Sequence, residues 1–168
     1  MNSKELACVG ERLLHGRGMR FLGVFARDEI PKPQQYTSCL IANTDEADQP
    51  GMHWVAIIYL AKKKTEFFDS FAFAPITYNV NLPNAKSSAY RIQSTTSTVC
   101  GQFCLFYLYY RSLGHSMFKI YTMFSPNYIA NDTLVRTFVR LAKRNTSACF
   151  SCQCPHSQTC TSYAKCYM

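Results

Sequence analysis

The sequence predicts an α+β fold, a small mixed or antiparallel sheet packed on a central helix, and three observations predict it. Short runs rich in β-branched and aromatic residues, separated by turn-forming stretches, recur through the first seventy or so residues. Residues 100–113 are apolar almost all round and end at Gly114, the pattern of a buried helix with a left-handed stop. Amphipathic helical spacing marks a further helix near each end of the folded part.

In chain order, Ser3 caps a first helix over residues 3–15, with Leu6, Val9, Leu13 and Leu14 as its apolar face and Gly16 as its stop. Residues 19–26, 38–43, 52–61 and 65–71 read as strands. The last two form a hairpin whose turn is Lys62-Lys63-Lys64, which sets His53 and Asp69 facing each other across neighbouring strands near one end of the sheet. Residues 74–98, rich in Pro, Asn, Ser and Thr, are connecting structure with a short strand around 89–93. Ser97 or Thr98 caps the central helix, so Cys100 lies in its first turn. A last helix covers residues 132–144 with Asn131 as cap. Leu134, Phe138 and Leu141 face inward, and Arg136, Arg140, Lys143 and Arg144 form an outer basic stripe.

Length and composition fit one domain over residues 1–146 with a Cys-rich tail over 147–168: 48% hydrophobic and 14% aromatic residues suffice to fill a core. No apolar run approaches the ~20 residues that cross a bilayer, and the first five residues are too polar for a signal peptide, so an intracellular protein without a membrane partner is expected. The nine cysteines then read first as thiols. Five of them, Cys149, Cys152, Cys154, Cys160 and Cys166, crowd the tail with His156. Their spacings match no standard pair of zinc knuckles; a disordered tail without a metal is expected, with disulfide pairing after release or zinc ligation as alternatives.

Charge is unevenly placed. Residues 1–69 carry equal numbers of acidic and basic groups, whereas residues 70–168 hold nine Lys/Arg against Asp132 alone, so the whole net charge of +8 lies in the second part. A basic half with many Tyr and Phe fits a nucleic-acid partner, since neutralising phosphates releases counterions whatever the base sequence. Solubility alone is the other reading.

The residues that carry chemistry are His53 beside Trp54, Asp69 sixteen positions on, Gln93, and Cys100-Gly101. A thiol nucleophile needs an imidazole to take its proton, a carboxylate to orient that imidazole, and a donor for the oxyanion formed on attack. These four fill the four roles. His15, His115 and His156 have no carboxylate at a useful place. Cys104 lies one turn deeper in the same helix, away from the terminal amides that favour a thiolate. Glu66, the rival acid, has the opposite strand facing to Asp69. Gly101 is expected to leave room for a substrate backbone.

At Gly51-Met52-His53-Trp54, Phe67 to Phe71, Gln93 and Cys100-Gly101-Gln102-Phe103-Cys104, the chain resembles the adenoviral protease family, whose relatives include SUMO and ubiquitin-like proteases and the proteases of large virus-like transposons. The likeness runs over residues 16–144, and the gap of seven from Gln93 to Cys100 is that of the adenoviral branch. The resemblance implies that fold, with His53 as general base, Asp69 as orienting acid, Cys100 as nucleophile, and Gln93 with the Cys100 amide as oxyanion hole. It implies a viral maturation cysteine endopeptidase that cleaves capsid and core precursor proteins in the host nucleus or the virion; a monomer is expected. The chemistry needs no cofactor, while DNA and a short viral peptide act as activators. Residues 82–92 lack the family's linking Cys, so covalent peptide attachment is not expected. Ala72 stands where the family tends to have Gly. The alternatives are a SUMO- or ubiquitin-like deconjugating protease and a DNA-binding packaging protein with a vestigial protease fold.

Overall fold

A computed structural model describes residues 1–32, 37–60 and 64–144. Helix α1 (Ser3–Leu14) leads into β1 (Arg20–Phe25) and β2 (Ser38–Asn43), then β3 (Trp54–Leu60), β4 (Lys64–Phe68) and the two-residue β5 (Lys86–Ser87). Helices α2 (Cys100–Ser112), α3 (Met117–Tyr121) and α4 (Tyr128–Arg144) complete the described chain. The strands form one sheet in sequence order. β2–β3 and β3–β4 pair antiparallel while β1–β2 and β4–β5 pair parallel, so the sheet is mixed.

Alternating side chains divide the core between the two faces of the sheet. Cys39, Ile41, Ala56, Ile58 and Phe68 meet α2, where Phe103, Cys104 and Tyr107 are inaccessible to solvent. Leu40, Ala42, Val55, Ile57 and Phe67 form a second apolar layer under Val80 and Leu82 of the long connection before α2. Both faces of β2 and β3 are therefore buried, which is why these strands are continuously apolar rather than alternating.

Several expected boundaries move. Asn2, not Ser3, caps α1: its side chain accepts from Glu5 N (2.9 Å) while Glu5 Oε2 accepts from Asn2 N (3.2 Å). Glu5 thus selects between two adjacent cap formers by completing a capping box. α2 begins after Val99 with no side-chain cap, because the Ser97 hydroxyl donates to Ser94 O instead. α4 starts a turn earlier than expected, at Tyr128, with Asn127 Oδ1 accepting from Ile129 N and Ala130 N. Asn131 is a buried anchor there, donating to Ile92 O and Ser125 O at 2.9 Å each. In that register Val135 and Val139 face the core with Phe138 partly buried, and Leu134 and Leu141 are exposed. The short strand lies at residues 86–87 rather than 89–93, and α3 is too short to leave a periodic trace. The turn expected at Lys62-Lys63-Lys64 falls at residues outside those described, apart from Lys64, which pairs with Leu60 in the ladder. The Cys-rich tail also lies outside the described residues.

Candidate active site

His53 immediately precedes β3 and Asp69 immediately follows β4, and the Ala56–Phe68 pairing brings both to one end of the sheet. The chain enters β3 through Gly51, whose φ of 81° is left-handed and whose added Cβ would stand 2.5 Å from Asn43 Nδ2, so only glycine fits that turn. His53 O then accepts from Thr44 N at 2.9 Å, tying the histidine to the end of β2.

Asp69 is wholly buried, and each lone-pair site of its carboxylate is occupied. Oδ1 accepts from His53 Nε2 (2.7 Å) and Phe71 N (2.9 Å); Oδ2 accepts from Phe73 N (3.0 Å) and the Tyr78 hydroxyl (2.8 Å). Facing this carboxylate acceptor, Nε2 of His53 carries a proton. The Cys100 side chain, in the first turn of α2, lies near enough to the His53 ring for each to shift the other's ionisation. The rings of Phe71 and Tyr78 pack at 5.0 and 5.8 Å from the imidazole.

His53 and Cys100 shift each other's ionisation in opposite directions. Burial alone would lower the His53 pKa, but hydrogen bonds to Asp69 and Cys100 and their charges push it up to about 9. Burial would raise the Cys100 pKa, yet the hydrogen bond and charge of His53, with backbone hydrogen bonds at Trp54 and Gly101, hold it below the ordinary thiol value. The other buried thiols behave oppositely. Desolvation raises Cys39 to about 12 and Cys104 well above its ordinary range. Cys104 donates to Trp54 O and serves the core, as its deeper helix position implied.

Gln93 is buried, but its amide is engaged elsewhere. Oε1 accepts from the Ser70 hydroxyl (2.5 Å), and Nε2 donates to Ser97 O (3.0 Å) and Ser97 Oγ (3.2 Å), just ahead of Cys100. Gly101 has a different job from the one expected. An added Cβ would stand 2.8 Å from Leu6 Cδ2, so the glycine admits α1 against α2 and sits in the core rather than under a substrate. Glu66 is excluded as the orienting acid, because it receives Arg111 Nε (2.7 Å), Arg111 Nη2 (3.0 Å) and the Tyr107 hydroxyl (2.8 Å) on the α2 side of the sheet. Ala72 adopts φ 64°, the conformation that glycine tolerates best.

Sequence reasoning missed Tyr78 and Ser70. Tyr78 sits in a Pro-initiated turn nine positions past Asp69, where no periodicity signals a contact, and a serine next to an aspartate carries no mark of its partner. The basic stripe lies elsewhere: Arg136, Arg140, Lys143 and Arg144 line an open groove of about 500 Å³ with Met1 and Gln102. Lys143 also reaches Glu5 at 3.4 Å. Among the described residues no group of three or more His, Cys, Asp or Glu side chains is arranged to hold a metal ion, and no helix is long and apolar enough to cross a membrane.

No protein-family model matches the chain, and no curated protein matches it significantly. Among solved structures it is similar to the central domain of the uncharacterized Lpg1148 protein from Legionella pneumophila, at 13% identity and a TM-score of 0.53 over 86% of this chain and 96% of that one. At that identity the likeness is one of fold alone, the α+β arrangement of helices on a five-stranded mixed sheet.

Proposed function

We propose that this chain is a cysteine endopeptidase in which Cys100 is the nucleophile, His53 its base and Asp69 the orienting acid. The observation that supports the reading is the buried contact of His53 Nε2 with Asp69 Oδ1 beside Cys100, with the histidine's ionisation raised and the thiol's lowered. The thiolate attacks a peptide carbonyl, His53 gives its proton to the departing amine, and water hydrolyses the thioester with His53 as base. The Cys100 backbone amide and Gln93 Nε2 stabilise the oxyanion, for which Gln93 turns one N–H from Ser97 toward the substrate. The resemblance of these motifs to those of adenoviral proteases supports maturation of capsid and core precursors, in the host nucleus or virion, as the preferred role, with DNA as activator through the basic groove. The close His53–Asp69 pair argues against a vestigial site.

The test is to incubate wild-type protein and Cys100→Ala with candidate capsid precursors and, separately, with ubiquitin-like fusion proteins, mapping new termini by mass spectrometry. Cleavage of precursors by the wild type alone is expected. Cleavage confined to the fusions would reassign the chain to deconjugation, and equal termini in both samples would end the peptidase reading.

A further inference from the structure

Two of the four donors on the Asp69 carboxylate, Phe71 N and Phe73 N, belong to the turn that Asp69 itself begins, closed by Ala72 N donating to Asp69 O at 3.0 Å. They move with the aspartate. The Tyr78 hydroxyl does not, for its residue is anchored independently. Its carbonyl accepts from Arg27 Nη1 (3.3 Å), and the Pro75–Tyr78 turn is closed by Asn79 in a left-handed conformation. The Tyr78 ring packs on the second apolar layer and edge-on to Phe73. An aspartate χ2 is a broad, roughly two-fold torsion that backbone geometry fixes poorly.

We propose that Tyr78 is a positioning residue, whose hydroxyl on Oδ2 fixes the carboxylate rotation that keeps Oδ1 on His53 Nε2. The proposal rests on the peptidase reading above. Burial and the neighbouring Asp69 charge push the phenol's ionisation up, so it remains a donor throughout the neutral range. The same ring flanks the imidazole, so one side chain constrains both partners of the Asp69–His53 contact.

The probe is iodoacetamide alkylation of Cys100 at pH 6, read by peptide mass spectrometry with exposed Cys8 as internal reference, in the full chain. Tyr78→Phe removes the hydroxyl and keeps the ring. It should slow Cys100 alkylation about 3- to 10-fold, the worth of one hydrogen bond, and lower the thermal midpoint by a few degrees, since one buried carboxylate acceptor is left unpaired. In an Asp69→Ala background the same change should have no further effect, because the oxygen it orients is gone; a merely structural loss would add. A wild-type or faster rate in Tyr78→Phe, or equal slowing in both backgrounds, overturns the proposal. A His53→Ala arm separates the two levels. If that variant is slow while Tyr78→Phe is not, only the positioning role falls; if His53→Ala leaves the rate unchanged, the peptidase reading falls too.

Discussion

Replacing His53 by alanine strips Cys100 of the imidazole that holds its pKa down. What remains is mostly burial, and Cys39 shows where burial leaves a thiol in this core: about 12, against an ordinary 9.0. Cys100 in the intact site lies below 9.0. The pKa of the Cys100 thiol therefore rises; desolvation moves a fully buried group by up to about 3 units or more, each unit about tenfold in thiolate, or about 1.4 kcal/mol. Backbone hydrogen bonds at Trp54 and Gly101 remain, and the space vacated by the ring admits water, so the expected drop is about 10²- to 10³-fold. Initial rates of iodoacetamide labelling at pH 7, resolved by peptide mass spectrometry with Cys8 as reference, measure it. A loss smaller than about tenfold, or labelling that passes mainly to Cys104, would refute the reasoning that His53 is the source of Cys100 reactivity.

The pH profile of Cys100 labelling in the wild type should show a plateau bounded below by the lowered thiol pKa. A second change near pH 9 should follow, where His53 loses its proton and the thiolate its counter-charge; a single transition at the ordinary thiol value would contradict the ion pair. Because the folded His53 pKa is raised, its contribution to stability is complete below its ordinary 6.5 and lost as pH rises through about 9. Arg111→Met leaves the Glu66 carboxylate buried with Tyr107 as its remaining partner and should cost about 3–5 kcal/mol, read as a thermal midpoint lower by roughly 6–20 °C; a shift under 2 °C would show that the pair is not stabilising. Gly101→Ala forces Leu6 aside within the core and should cost about 1 kcal/mol net of improved helix propensity, without changing Cys100 labelling. Lost labelling at an unchanged midpoint would restore the substrate-approach role. Duplexes of unrelated sequence should bind with similar affinity that falls with salt, each lost phosphate contact lowering the log–log slope by about 0.9. Reversing Arg136 and Arg140 to Glu should weaken that binding; unchanged affinity and slope would dismiss the groove as the DNA contact.

The strands and the central helix were legible because burial writes itself into local sequence. β2 was read to the residue, and the apolar runs of β3 and α2 specify segments buried on both faces or all round. The hairpin followed from two such runs with a short lysine turn between them, and with it the meeting of His53 and Asp69 at one end of the sheet. The strand at residues 86–87 was not legible, since its pairing with β4 is a long-range choice with no period of its own.

Residue type, order and spacing singled out His53, Asp69 and Cys100 as candidates and the family resemblance gave them their expected roles; the fold brings His53 and Asp69 together and sets Cys100 at the start of α2. Tertiary structure decided the rest. Whether Gln93 reaches toward Cys100 or Ser97, whether Gly101 faces a substrate or Leu6, and which of Leu134 and Val135 points inward depend on how α1, α2 and α4 approach one another. Four donors converge on Asp69 from residues 53, 71, 73 and 78, and the last of these is set by a loop path that hydrogen bonds and packing select. A hydrogen bond between distant side chains carries no periodicity, so only the folded chain reveals it.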